Sequence, residues 1–175
     1  MVKIFTIGHS TKPIEEFIEL LSDQGVKQLV DIRTVPRSRH NPQFEQESMK
    51  KSLPDAGIKY VYMKQLGGLR PKVKDSINTA WRNQSFRNYA DYMQTDAFKT
   101  GIDELIELAK EAPTGIMCAE AVPWRCHRSL VGDALLVRGI EVMDIMSATS
   151  VKAHKMTSFA KVDHDNITYP GEEAK

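Results

Sequence analysis

Residues 2–7 form an almost wholly apolar run that stops at Gly8, and four runs of similar length and character follow at 27–33, 58–63, 114–119 and 140–145. Runs this short, unbroken by polar alternation, read as strands covered on both faces rather than as half-exposed ones. Between the first two, Pro13 suits a first helical position and Glu15 and Glu16 suit a first turn, where the helix dipole favours anions. Ile14, Phe17, Ile18 and Leu21 then recur at the spacing of one buried helix face, and Gly25 stands where that helix ends. A short helix over about 45–53, stopping at Pro54, fits between the second and third runs. This β-α-β-α-β order implies parallel strands with right-handed crossovers.

Residues 66–111 break the alternation with a polar Gly/Pro loop and then helical patterns over roughly 75–82, 86–94 and 97–111. Trp81, Phe86, Tyr89 and Tyr92 fall there at helical spacings and are expected in core or lid packing. A last helix is expected over 126–138, ended by Gly139. The expected fold is a three-layer α/β domain: a mainly parallel five-stranded sheet with flanking helices and a helical insertion between strands 3 and 4. That domain spans 1–163, and 164–175 is expected as a loose C-terminal tail.

The 175 residues suit one domain. Lys and Arg number 24 against 23 Asp and Glu, a net +1, which argues against bulk electrostatic binding of nucleic acid. No apolar run approaches the ~18 residues of a membrane span. The first residues lead straight into an apolar run broken at Gly8 and His9, so no signal peptide is expected. Two cysteines are too few for a disulfide scaffold, and the expected location is cytoplasmic.

Ligands of open parallel sheets bind outside the carboxyl ends of the strands. His9 and Ser10 follow the first run here. Asp31 and Arg33 close the second, with Arg37 and Ser38 just beyond; Gly67 and Gly68 follow the third. Ten of the 24 Lys and Arg residues, Arg70 among them, fall in these loops and in the one after the fourth run. That local excess predicts an anionic, phosphate-bearing small-molecule ligand.

The densest constellation is C-A-E-A-V-P-W-R-C-H-R at 118–128, a strand, a loop and a helix start. Such a layout offers free N–H groups and a positive dipole end to an oxyanion. Arg125, His127 and Arg128 should also lower the pKa of a thiol, and Cys126 is the better candidate for a reactive thiolate. Three chemistries remain open. Cys118 to Arg125 is C-x6-R, one residue longer than the phosphatase C-x5-R. Cys118 and Cys126 are further apart than the usual C-x-x-C redox pair, and Cys118 alone could be a buried packing residue. A site of Cys118, Glu120, Cys126 and His127 matches no common zinc spacing, so no stoichiometric metal is expected. His9 is a candidate general base and Glu120 a second group able to move protons, while Asp31 is read as the partner that orients His9 or an Arg, or else as a cap. Gly67 and Gly68 permit a tight turn or close approach to a ligand.

Several blocks in this order resemble the domain of unknown function 488 family, small bacterial and archaeal proteins without an assigned reaction. They are T-I-G-H-S at 6–10, D-I-R-T-V-P-R-S-R at 31–39, N-P-Q-F at 41–44 and L-G-G at 66–68. W-R-N-Q-S-F-R-N-Y-A-D-Y-M-Q-T at 81–95, M-C-A-E at 117–120 and C-H-R-S-L at 126–130 continue it, with H-K-M-T-S-F-A at 154–160 and Y-P at 169–170. By that resemblance the site would comprise His9, Ser10, Asp31, Arg33, Pro36, Ser38, Cys118, Glu120, Cys126, His127 and Arg128. Some members carry a DNA-repair label.

The leading expectation is an enzyme acting on a nucleotide or nucleic-acid component, with Arg33, Arg37, Arg125 and Arg128 holding the anion and Cys126 as nucleophile or ligand. A non-catalytic nucleotide or nucleic-acid binding module is the second. A metal-binding or thiol-redox protein using Cys118 and Cys126 is the third. No cofactor and no oligomeric state follow from the sequence, and no membrane partner is expected.

Overall fold

Apolar runs buried on both faces require helices above and below, and the computed structural model, which describes residues 2–171, has that architecture. In chain order it comprises β1 (Lys3–Gly8), α1 (Ile14–Asp23), β2 (Gln28–Asp31), α2 (Gln46–Asp55), β3 (Lys59–Tyr62), α3 (Gln84–Tyr92) and α4 (Asp96–Glu111). There follow β4 (Thr114–Cys118), α5 (Arg128–Val137), β5 (Glu141–Ser147), β6 (Ser150–Ala153), β7 (Lys161–Asp163) and β8 (Asn166–Thr168). The main sheet has six strands in the order β3-β2-β4-β1-β5-β6, and β7 and β8 pair separately. The first five run parallel, and β6 pairs antiparallel to β5. The expected five-stranded sheet is therefore six-stranded and mixed.

Successive residues of each strand enter opposite cores. Ile4, Val30 and Ile116 pack with Phe98, Leu105, Leu130 and Leu135, on the side of α3, α4 and α5. Phe5, Leu29 and Met117 pack with Phe17, Leu21, Met49 and Leu53, on the side of α1 and α2. Neighbouring strands β1 and β4 are thus followed by helices on opposite faces of the sheet. Their carboxyl ends, with Gly8 opposite Cys118, form a topological switch point, where open α/β sheets hold their ligands. Gly25 leaves α1 at φ 73° and Gly139 leaves α5 at φ 77°, a left-handed conformation that suits glycine.

Three local expectations are corrected. The helix expected to stop at Pro54 runs on to Asp55, because in a last turn a missing N–H removes only one bond. Residues 75–82 form no helix. Ser76 Oγ and Asn78 Nδ2 both donate to Asp91 Oδ1, at 2.6 and 2.7 Å, and such side-chain bonds compete with the helical ladder. The expected tail is, over its described part, built into the body: Ile167 and Tyr169 are buried, and Tyr169 donates to Asp133 Oδ2 at 2.8 Å. Residues 172–175 of that tail lie outside the described residues. No helix among the described residues is long and apolar enough to cross a membrane.

Candidate functional site

The pairing of β1 with β4 continues past both strands, since His9 N donates to Cys118 O and Ser10 N to Ala119 O, each at 2.9 Å. Gly8 permits this approach. A Cβ there would overlap the Glu120 carbonyl and stand 2.6 Å from Arg128 Nη1.

His9 is buried and stacks on Phe44, ring centroids 4.3 Å apart. Its Nδ1–H donates to Ser10 O at 2.8 Å, which leaves Nε2 as the acceptor 3.5 Å from Arg33 Nη1. Burial, and secondarily the Arg33 charge, lower its pKa to about 4, so it is neutral at pH 7. Asp31 is wholly buried and binds Arg33 in a fork, Nε at 2.9 Å and Nη2 at 2.8 Å. Tyr60 Oη donates to the same carboxylate at 2.5 Å. Asp31 thus orients Arg33 rather than His9, and Arg33 arrives at the site with its charge already matched. Tyr60 carries no motif and falls in place through the register of β2 with β3.

The strongest correction concerns the cysteines. Cys126 was expected as a free reactive thiolate; it is joined to Cys118 by a disulfide, across eight residues of sequence. The helix also starts later than expected: α5 begins at Arg128, with His127 at its cap and a 3-10 turn (Pro123–Arg125) ahead of it. Three of the N–H groups expected to receive an oxyanion are satisfied from within. Cys126 N donates to Pro123 O and Ser129 N to Cys126 O, while Arg128 N donates to Cys126 Sγ at 3.4 Å.

Arg128, like Asp31, has no exposed surface. Its Nη1 donates to Cys118 Sγ at 2.9 Å and to Glu120 O at 2.6 Å, and its Nη2 to Ala121 O. Burial lowers its pKa to about 10, still charged at neutral pH. His127 donates from Nε2 to Ile32 O at 2.8 Å, which turns an unprotonated Nδ1 toward Cys126 Sγ at 3.5 Å. Burial holds this imidazole near pKa 4. Gly68 lies against it, where a Cβ would stand 2.6 Å from His127 Nδ1. Gly67 is equally close to Thr34, 2.7 Å from Oγ1.

A cavity of about 280 Å³ opens here, lined by Arg33, Gly68, Cys118, Glu120, Cys126 and His127, with Arg125 at its exposed rim. The loops after β2, β3 and β4 meet in it, together with the first turn of α3, while the loop after β1 does not reach it. Thr34 and Leu69 line the wall without having been singled out by sequence, beside Phe86, which was expected in core or lid packing. His9, Ser10 and Asp31 do not line it; His9 and Asp31 stand behind Arg33. Arg37 opens on a different depression, with Glu45 and Tyr62, and Ser38 N donates to Glu45 Oε1 at 3.2 Å. Arg70 is spent on the carbonyls of Gly67, Lys64 and Gln65 and lies 3.6 Å over the Tyr92 ring. Several arginines expected to hold an anion are instead matched to protein groups. Among the described residues no group of three or more His, Cys, Asp or Glu side chains is placed to hold a metal ion.

No curated protein and no solved structure matches the chain. The family model described as domain of unknown function DUF488 matches residues 13–135, which include β2, β4 and the whole of the loop that carries both cysteines. The chain belongs to the family of domain of unknown function DUF488.

Proposed function

We propose that the protein is an enzyme of thiol–disulfide exchange, acting through Cys118 and Cys126 on a small anionic disulfide at the carboxyl edge of the sheet. The observation that supports this is the meeting of the two sulfurs in the wall of a cavity whose rim carries Arg125. A pair of cysteines in a chain with no others is no scaffold, and a disulfide at a ligand cavity suits redox exchange. The expectation of a phosphate-bearing ligand at this edge loses support because Arg33 and Arg70 and several helix-start N–H groups are already engaged.

The two sulfurs have different surroundings. In the dithiol form Arg128 Nη1, 2.9 Å from Cys118 Sγ, favours a thiolate there. Cys126 is the more accessible residue, 5% exposed against 1%. Cys126 attacks one sulfur of the substrate disulfide and expels the first thiolate, its own proton passing to solvent. Cys118 then attacks Cys126 Sγ, expels the second thiolate and closes the protein disulfide. One substrate disulfide becomes two thiols as the dithiol is oxidised, and an external dithiol reductant returns two electrons and two protons.

Alkylation with iodoacetamide, read by intact mass, tests this with oxidised glutathione and with uncharged hydroxyethyl disulfide as probes. The reduced protein should take two labels, and after incubation with glutathione disulfide none. Cys118→Ser should trap one glutathionyl group on Cys126, while Arg125→Ala should slow glutathione disulfide and leave hydroxyethyl disulfide unaffected. Two labels persisting after either disulfide would overturn the proposal.

A further inference from the structure

A second cavity lies on the other side of the 3-10 turn that carries Arg125, and neither the cysteine chemistry nor the family match assigns it a role. It measures about 470 Å³ and is bounded by Trp81, Pro123, Trp124, β5 and the segment from Lys152 to Thr157. That volume is in the range of small-molecule pockets, roughly 300–1,000 Å³. Trp124 is 65% exposed, although its indole is the largest apolar side chain available and most proteins cover it. An indole left open inside a concave site offers a face for a planar ring.

The charges on the wall are sorted. His154 Nε2 lies 2.9 Å from Asp133 Oδ1, and its Nδ1 3.4 Å from Asp144 Oδ2. Asp144 Oδ1 accepts from Thr6 at 2.5 Å, and Asp133 Oδ2 from Tyr169. One imidazolium between two carboxylates leaves a single negative charge. Lys152 and Lys155 line the same cavity, are exposed, and form no ion pair among the described residues. Two free ammonium groups outweigh that negative charge. They suit a dianionic phosphate better than a single carboxylate.

We infer that this cavity binds a nucleoside monophosphate, its base stacked on Trp124 and its phosphate held by Lys152 and Lys155. Asp144 lines the cavity, and its carboxylate has lone pairs beyond those used by Thr6 and His154, so it can accept from an exocyclic amine or a ribose hydroxyl. Neither cysteine lines this cavity, and the inference stands apart from the exchange chemistry.

Isothermal titration of the full chain with AMP, adenosine and inorganic phosphate tests it. AMP should bind saturably and more tightly than either fragment. Trp124→Ala should weaken AMP and adenosine together by at least about fivefold, the low end for loss of one base–aromatic stack. Lys152→Gln with Lys155→Gln should weaken AMP while leaving adenosine unchanged, and both lysines are exposed, so the double variant should fold as wild type. Cys118→Ser should bind AMP normally. No saturable heat with AMP, or AMP binding indifferent to both the tryptophan and the lysine variants, would overturn the inference.

Discussion

Replacing His154 by Gln removes a cation held between two buried carboxylates, and the cost should depend on pH in a direction set by the site. Burial alone would lower the His154 pKa, but the hydrogen bonds and charges of Asp133 and Asp144 outweigh it and raise the value from 6.5 to about 9. A pKa raised on folding stabilises fully below the unfolded value of 6.5, and that contribution is lost as pH climbs through 9. The whole interval is worth about 3.4 kcal/mol at 1.36 kcal/mol per pH unit, of which about 2.6 is present at pH 7 and almost none at pH 10. Partial access of solvent reduces the pH 7 figure to roughly 2 kcal/mol. Urea unfolding of wild type and His154→Gln at pH 7, 8.5 and 10 reads it as a difference, which cancels lysines and tyrosines titrating in both proteins. With a slope of about 2 kcal/mol per molar urea, the wild-type midpoint should lie about 1 M above that of the variant at pH 7. The gap should narrow steadily toward pH 10. A gap that is constant with pH would refute a charged His154, and a gap that widens would reverse the sign of the linkage.

Gly8→Ala should destabilise by more than about 3 kcal/mol, since the added methyl overlaps the Glu120 backbone carbonyl and also crowds Arg128 Nη1; a thermal midpoint within a few degrees of wild type would contradict this. Tyr169→Phe should cost about 2 kcal/mol, the value of a hydrogen bond to a carboxylate, measured by urea midpoint, and an unchanged midpoint would detach the C-terminal segment from the core. His9 and His127 are both lowered by burial to about 4. As pH falls below 6.5 the unfolded chain therefore takes up two protons that the folded chain refuses. Stability should fall by up to about 2.7 kcal/mol per pH unit between pH 6 and 4.5, and His9→Gln should halve that slope.

What the sequence by itself determined is the layer order and the edge of the sheet at which the candidate residues gather. Both rest on local signals. An apolar run stopped by Gly8, or the helical spacing of Phe17 and Leu21, is read within a few residues, and parallel strands then send Arg33, Gly68 and Cys126 to one cavity. The tertiary structure alone decided what those residues do there. Arg33 and Arg70 look like ligand-binding cations in a string of letters, yet each is matched by an acceptor that folding brings beside it. Cys126 faces Cys118, and not a substrate alone, because the 3-10 turn ahead of α5 folds the loop back over β4. The partners that settle the remaining roles are distant in sequence: His127 bonds Ile32 across 95 residues, Thr6 bonds Asp144 across 138, and Tyr169 bonds Asp133 across 36. Hydrogen-bond partners are chosen by packing, which no spacing along one segment encodes, and so the gathering of Arg33, Gly68 and Cys126 at one edge was legible while their partners were not.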